Sequence, residues 1–413
     1  MTEMTHNFKS FDALAARQEF PILAQEIYGK PLVYLDNAAS AQKPLCVIEA
    51  MRSVMQHDYA NVHRGLHYLS NRSTDLFEQA RHSMRQFLNA PSNETIIFTA
   101  GATDAINLVA DSFLAPTIQP GDEIILTTME HHSNIVPWHF LRERQGAVLK
   151  WVGLTEDGQL DLDAFASAIT PKTKMIAVTQ MSNVLGLATP IEQIMALARA
   201  NNIPVLVDGC QGAVHLDTDV SALGCDFYVM SGHKLYGPTG IGVLYAKAEH
   251  LAAMRPYRGG GEMIEEVYED RVSYASAPHK FEAGTPAIIE AIGLGAAAEY
   301  VMKLDRAAIR AHEHALAART IAELRSMPEV TLFGGDHPRS IVSFAVAGAH
   351  PHDIATIIDR SGIAIRAGHH CAQPLMRRLN VPATARASFA LYNTQEEADL
   401  FVAALKRAIT MFA

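Results

Sequence analysis

One lysine stands between two apolar runs in the stretch SGHKLYGPTG at 231–240. Lys234 follows CDFYVMSG and precedes GIGVLYAK, so we expect it at the end of a buried strand. Burial disfavours the charged form of a lysine, and a neutral amine is a nucleophile suited to forming a Schiff base with an aldehyde. Taken alone, Lys234 fits an exposed loop lysine equally well.

Other polar residues come after apolar runs in the same part of the chain; they are Asn183, Asp208, Gln211, Ser231 and His233. Thr103 lies beside Gly101 at the predicted start of a helix, where free backbone N–H groups favour a phosphate. A phosphate, a cationic ring nitrogen and an aldehyde are the groups by which pyridoxal 5'-phosphate is bound. Together these residues predict a site for that cofactor, although Asp208 and Thr103 singly are also ordinary turn or capping residues.

A cysteine near the end of the chain has the surroundings of a reactive thiol. Cys371 lies in IRAGHHCAQP, after two histidines and close to Arg366, on a loop that follows a predicted strand. Positive neighbours favour the thiolate, which is the nucleophilic form. We therefore expect Cys371 to be catalytic.

The remaining cysteines and the histidine pairs are interpreted as structural. Four widely spaced cysteines without a CxxC pair predict free thiols, and Cys210 is expected to fill space. The pairs 131/132 and 369/370 suggest a metal, but adjacent histidines rarely point the same way and no carboxylate is spaced with them. No metal is predicted.

Composition narrows the class of function. The 413 residues are 49% hydrophobic and 19% charged, and the formal charge of -10 argues against nucleic-acid or anionic-membrane surfaces. The chain shows no secretory signal and no run of about 18 apolar residues. We expect a cytoplasmic protein that acts on small molecules.

The elements that position these residues alternate in type from about residue 30 to 290. Short β-branched runs alternate with helix-length stretches, which is typical of an α/β fold with a mainly parallel, doubly wound sheet and ligands at the strand ends. Apolar residues recur every four positions over 74–90, and this spacing predicts a helix with one buried face. We expect residues 31–289 to form a large cofactor-binding domain. Residues 1–30 and 290–413 are predicted to form a smaller α+β domain that carries the cysteine loop.

Five segments, VDGCQGAVH, SGHKLYGPTGIGVLY, MEHHSNIVPW, ANVHRGLHYLS and RAGHHCAQPLM, resemble the SufS branch (group II) of the cysteine desulfurases. That family consists of fold-type I, class V pyridoxal-phosphate enzymes. The resemblance covers nearly the whole chain and implies conversion of L-cysteine to L-alanine, with the sulfur held as an enzyme persulfide for iron–sulfur cluster assembly. The chain departs from relatives at TAGATDAIN, where Thr-Thr-Glu is common, and at Cys210, where alanine is common.

The resemblance also implies roles for the candidate residues. Lys234 would bind the cofactor covalently and move the α-proton, and Cys371 would attack the substrate sulfur. His131 would stack on the cofactor ring, Asp208 would pair with its nitrogen and Gln211 with its phenolic oxygen. Further cofactor contacts are implied for Asn183, Thr103, Ser231, His233 and, from the neighbouring subunit of a homodimer, Thr285. The substrate would contact Arg386, through its carboxylate, and also Arg366 and Asn183.

Several alternatives stay open from the sequence. A selenocysteine lyase or another class V enzyme would share the cofactor motifs, and a cofactor-free sulfur carrier would need Cys371 alone. The sulfur acceptor is expected to be a SufE-like or SufU-like protein. His352 matches a histidine that exchanges with a zinc ligand in SufU-served relatives, and it equally fits a helix-start residue.

Overall fold

The computed structural model describes residues 11–334 and 340–412. The helices are α1 (Ala13–Gln18), α2 (Leu45–Ser53), α3 (Tyr68–Leu88), α4 (Ala102–Leu108), α5 (Val136–Gln145), α6 (Leu162–Ala168), α7 (Ile191–Ala200), α8 (Gly212–His215), α9 (Val220–Leu223), α10 (Ala248–Ala253), α11 (Ile288–Met302), α12 (Arg306–Arg325), α13 (Pro351–Asp359), α14 (Gln373–Arg378) and α15 (Gln395–Ile409). Helices α2 and α4 continue into π-helical turns, Val54–Asp58 and Val109–Leu114. Single 3-10 turns lie at Pro21–Ala24, Asn93–Thr95, His132–Asn134, Gly232–Lys234 and His279–Phe281.

The strands are short and form two main sheets. They are β1 (Glu26–Ile27), β2 (Lys30–Pro31), β3 (Val33–Tyr34), β4 (Ile96–Thr99), β5 (Glu123–Thr127), β6 (Val148–Val152), β7 (Thr173–Thr179), β8 (Val205–Asp208), β9 (Phe227–Ser231), β10 (Gly242–Ala246), β11 (Ile264–Val267), β12 (Val272–Tyr274), β13 (Val330–Phe333), β14 (Ile341–Val346), β15 (Ile363–Ala364), β16 (Arg366–Gly368) and β17 (Thr384–Ser388).

The larger sheet has seven strands in the order β4-β10-β9-β8-β7-β5-β6. Strand β10 is antiparallel to both of its neighbours, whereas β9, β8, β7, β5 and β6 run parallel. Strands β8, β9 and β10 are buried at every residue, as expected for a sheet that is covered on both faces. The predicted α/β fold with a mainly parallel sheet is confirmed.

The smaller sheet is antiparallel, with the order β13-β14-β17-β16. Helices α12, α13 and α15 pack on it and share one apolar cluster with its strands. Helix α15 begins with a capping box, in which Thr394 and Glu397 satisfy each other's backbone N–H groups. This sheet carries Arg366 and Arg386, and the cysteine loop follows β16 directly.

The helix expected over 74–90 is present as α3, which begins six residues earlier and ends at Leu88 because Asn89 takes a left-handed conformation. The segment from residue 11 to 30 contacts both parts of the molecule. Phe20 packs against the rings of Tyr236 and Tyr392, and Arg17 pairs with Glu397 at 2.6 Å. Residues 1–10 of the predicted small domain lie outside the described residues.

Candidate active site

A cavity of about 280 Å³ opens where the parallel strands end. Its lining is Ala38, Ala39, Ala102, Thr103, His131, Ser133, Asn183, Asp208, Cys210, Ser231, His233, Lys234, Arg366, His370, Cys371 and Arg386. Strand β8 ends at Asp208 and strand β9 ends at Ser231, so both side chains lie at this edge of the sheet. The structure thus brings together most of the residues that were predicted from the ends of apolar runs.

The floor of the cavity is formed by strand ends and the tight turns that follow them. Asp208 is only 3% exposed, and its Oδ1 accepts the backbone N–H of Cys210 at 3.0 Å. Lys234 follows β9 through a tight turn at Gly232, where a Cβ would lie 3.1 Å from the carbonyl oxygen of Ile241. An amine and a carboxylate therefore face one buried space.

A second side of the cavity carries the hydroxyls of Thr103 and Ser231 beside the start of α4, and both can donate to an anion. Ser231 Oγ accepts the backbone N–H of Ala102 at 3.0 Å, at the first residue of α4. Gly101 has a φ of 147°, a value that suits glycine, and it lets the chain turn sharply into the helix. Thr103 and His233 line the cavity beside this turn.

Three imidazoles around the cavity are uncharged at neutral pH. Burial and the charge of Lys234 lower the pKa of His131 to about 3 and that of His233 to about 4. Burial, with the charge of Arg386, lowers the pKa of His370 to about 3. A neutral His131 ring is an apolar face suited to stacking, and its Nδ1 accepts the backbone N–H of Ser133 at 3.2 Å.

The opposite wall carries two guanidinium groups. Arg386 is 2% exposed, donates to the carbonyl oxygen of Asn183 at 2.8 Å and leaves Nε without a partner among the described residues. Burial lowers the pKa of Arg386 to about 10, which still leaves it charged. Asp36 holds Arg366 through both carboxylate oxygens, at 2.8 and 3.0 Å, and lies 3.4 Å from Arg386. This wall is suited to a carboxylate.

The cysteine loop enters the cavity from the smaller sheet. Cys371 is half-buried, and both it and His370 have positive φ values, 54° and 50°. Two hydrogen bonds connect the loop to segments that follow strands of the larger sheet. Asn183 Nδ2 donates to the carbonyl oxygen of His370 at 2.9 Å. The backbone N–H of His132 donates to the carbonyl oxygen of Cys371 at 2.7 Å. The thiol is held at the mouth of the site that contains Lys234.

Three predicted residues lie elsewhere. Gln211 is buried just outside the lining, and its Nε2 donates to the carbonyl oxygen of Ala38 at 2.7 Å. Thr285 lines a separate cavity of about 200 Å³ with Asp104 and Arg258. His352 lies at the start of α13, and its Nε2 is 3.8 Å from the place of a Cβ on Gly368.

Sequence reasoning missed three polar groups near the site. Asp36 was not singled out, because its arginine partners are 330 and 350 residues away in the chain. Glu130 is fully buried beneath the floor; burial raises its pKa to about 8, and Thr127 and Asn134 donate to it. Burial lowers the pKa of Lys43 to about 8, and its Nζ lies 3.4 Å from the carbonyl oxygen of His233.

The donor set fits pyridoxal 5'-phosphate. A lysine for the aldehyde, a buried carboxylate for the ring nitrogen, and the hydroxyls of Thr103 and Ser231 for the phosphate line one cavity. Cys210 beside Asp208 is no obstacle, because burial raises the pKa of its thiol to about 12 and keeps it uncharged.

No helix within 11–334 and 340–412 combines the length and the apolar character that crossing a membrane requires.

The family model described as "Aminotransferase class-V" matches residues 33–401. A cysteine desulfurase of Dickeya dadantii is 49% identical over 392 residues, with 95% of each chain covered. A probable cysteine desulfurase of Synechocystis is 49% identical over 406 residues, covering 97% of this chain and 96% of that protein. The crystal structure of the cysteine desulfurase CsdA from Escherichia coli superposes with a TM-score of 0.91 at 42% identity, covering 98% of this chain and all of the other.

Proposed function

The chain belongs to the aminotransferase class-V family, and on that basis we propose that it is a pyridoxal-phosphate-dependent cysteine desulfurase. It converts L-cysteine to L-alanine and keeps the sulfur as a persulfide on Cys371. The observation that carries this proposal is that Lys234, Asp208 and Cys371 line one cavity. A thiol beside a cofactor lysine is what sulfur transfer from an amino acid requires.

Pyridoxal phosphate, when bound, supplies an electron sink that weakens the bonds around the substrate's Cα. Lys234 is proposed to hold it covalently and Asp208 to face its ring nitrogen. The neutral His131 ring would lie over it. Further contacts are proposed for Thr103, Ser231 and His233 at the phosphate, and for Asn183 and Gln211 at the ring.

The substrate carboxylate is proposed to bind at the arginine wall. Arg386 has a buried Nε without a partner in the part of the chain that the structure describes, and a carboxylate bound there would satisfy it. Asp36 holds Arg366 and Arg386 side by side, so that both can orient the substrate with its Cα above Lys234. Asn183, which accepts from Arg386 and donates to the cysteine loop, links this wall to the thiol.

The proposed chemistry uses two residues on this framework. The Lys234 amine removes the proton from the substrate Cα and returns it later. The Cys371 thiolate then attacks the substrate sulfur: an S–S bond forms, the S–Cβ bond breaks, and its electron pair stays on carbon, which takes up a proton and leaves as alanine. No external oxidant or reductant enters this step.

The wider setting is also part of the proposal. We expect a homodimer, because Thr285 lies outside its own chain's cofactor cavity and is implied to complete the partner's. The persulfide would pass to a SufE-like or SufU-like acceptor for iron–sulfur cluster assembly in the cytoplasm. The division into 31–289 and 1–30 with 290–413 stays a prediction.

The test is the visible spectrum of the purified protein before and after L-cysteine, with alanine and sulfide assayed in the same tube in the presence of a reductant. We expect a band from the lysine-bound cofactor that shifts with cysteine, together with equal amounts of alanine and sulfide. A band without alanine would contradict the desulfurase and point to selenocysteine or another amino acid. Absence of any band after supply of pyridoxal phosphate would point to a cofactor-free sulfur carrier.

A further inference from the structure

The structure gathers one histidine from each adjacent pair around the nucleophile. A nitrogen of His132, a nitrogen of His369 and the sulfur of Cys371 all lie within 4.8 Å of one another. The centroids of the two imidazole rings are 5.4 Å apart. The other member of each pair points inwards, since His131 lines the cofactor cavity and His370 Nε2 lies 2.9 Å from Thr384 Oγ1. Adjacent histidines in the chain therefore point in different directions, whereas His132 and His369, from two different loops, both lie beside the Cys371 sulfur.

We propose that His132, His369 and Cys371 form a binding site for a thiophilic divalent cation of the zinc type, which blocks the enzyme reversibly by capping the Cys371 sulfur. Two imidazoles and one thiolate are a borderline-soft donor set, which is the set that Zn²⁺ prefers over hard cations. Three protein ligands leave the fourth tetrahedral position to water. The inhibitory consequence rests on the proposed role of Cys371, whereas the binding itself does not.

The geometry lies within reach of a tetrahedral complex. Zn–N distances of about 2.0–2.1 Å and a Zn–S distance of about 2.3 Å place ligand atoms about 3.3–3.6 Å apart. Separations of up to 4.8 Å have to contract by at most about 1.2–1.5 Å. His369 is exposed and Cys371 half-buried, so rotations of these side chains can make that change without moving the sheet.

Two backbone hydrogen bonds compete with the cation. The N–H of Cys371 donates to His369 Nδ1 at 3.1 Å, and the N–H of Gln373 donates to His132 Nε2 at 3.3 Å. Both bonds are at the solvent-exposed side of the loop, so water can accept from these N–H groups when the imidazoles turn to a metal. They also show that each ring already presents a lone pair towards the loop.

The local charge also permits a cation. Arg366 and Arg386 lie near the thiol, and the carboxylate of Asp36, which contacts both, offsets one of their two positive charges. The thiolate itself supplies a negative charge to the metal. Binding would engage the sulfur lone pairs, so that Cys371 cannot reach the substrate sulfur until a chelator removes the metal.

The experiment titrates the holoenzyme, without L-cysteine, with Co²⁺ as a spectroscopic substitute and then with Zn²⁺ in competition. We expect one tetrahedral cobalt site per chain, seen as visible ligand-field absorption with thiolate charge transfer. His132→Gln and His369→Gln should each weaken it at least about tenfold, because loss of even an outer-shell partner typically costs that much. His314→Gln, an exposed histidine on α12, is the matched control and should leave the affinity unchanged.

A second readout follows the thiol. At a free Zn²⁺ concentration of about ten times the Kd, about one site in eleven stays empty, so alkylation of Cys371 by iodoacetamide should slow about tenfold. Unchanged cobalt affinity in both histidine variants, or cobalt absorption that persists in Cys371→Ser, would overturn the proposal. Normal alanine formation without cobalt binding would defeat only this inference, whereas cobalt binding without alanine formation would defeat only the desulfurase.

Discussion

The floor that holds Lys234 and the loop that holds Cys371 reach the same cavity in different ways. The floor is formed by the ends of fully buried parallel strands, and its carboxylate is 3% exposed. The loop has two successive non-glycine residues with positive φ and is tied down by bonds from Asn183 and His132. We infer that the floor is built to keep one group fixed, whereas the loop presents a thiol that, under the proposed function, also has to meet an acceptor from outside.

This difference separates the expected effects of substitutions. Changes in the floor should remove cofactor binding and all later chemistry together. Changes in the loop should leave cofactor binding intact and stop only the transfer of sulfur.

Lys234→Ala should abolish alanine formation and the visible band of the lysine-bound cofactor, because no other lysine lines the cavity within the described residues. The measurement is a spectrum and an alanine assay on protein purified with pyridoxal phosphate. Lys174→Ala, an exposed lysine on β7, is the control. If Lys234→Ala retained turnover, Lys234 would not be the lysine that binds the cofactor.

Cys371→Ser should keep the band and its change with L-cysteine but lose the persulfide and nearly all turnover. The hydroxyl is smaller than the thiol, so it fits the same space, and it cannot form a persulfide. Cys46→Ser, an exposed thiol on α2, should behave as the unmodified protein. A persulfide found in Cys371→Ser would move the acceptor role to another cysteine.

Arg386→Gln should lower kcat/KM by about 10–150-fold, the range that follows from losing a charged hydrogen bond worth about 1.5–3 kcal/mol. The loss should appear mainly in KM, because the carboxylate is bound before and during the reaction. Arg366→Gln should cost less, since the Arg366 side chain is 49% exposed. Equal, small losses in both variants would place the substrate carboxylate elsewhere.

Asp36→Asn should raise KM by about 2–10-fold with little change in kcat, because it frees both arginines from a shared carboxylate without removing either. Steady-state kinetics on L-cysteine would measure the two constants. A drop in kcat alone would show that Asp36 acts on the chemical step instead.

Glu130 allows a pH test of the floor. Burial raises the pKa of Glu130 in the folded protein to about 8, above its ordinary value of 4.5. The stability that it contributes is therefore present below about pH 4.5 and is lost as pH rises towards 8. Glu130→Gln stays neutral, so its Tm relative to the unmodified holoenzyme should rise by a few degrees between pH 5 and pH 8. Glu143→Gln, at an exposed position on α5, is the control and should show no such trend. A Tm difference between Glu130→Gln and the unmodified holoenzyme that stays constant from pH 5 to pH 8 would contradict a protonated Glu130.

Local patterns predicted the floor well because apolar runs mark buried strands, and the next polar residues therefore lie at one edge of the sheet. The same patterns predicted α3, with its end correct to two residues and its start six residues too late. They could not reveal pairings made by folding, such as Asp36 with Arg366 and Arg386, or the meeting of His132 with His369. The roles of Arg386 and Thr285 were predicted from the resemblance to a family and not from the periodicity of the sequence.

The most direct test of the account is a single turnover with one equivalent of L-cysteine, followed by mass spectrometry of the peptide that contains Cys371. The account predicts one added sulfur on that peptide and an equal amount of alanine. Alanine without sulfur on Cys371, or sulfur on Cys46, Cys210 or Cys225 instead, would contradict it.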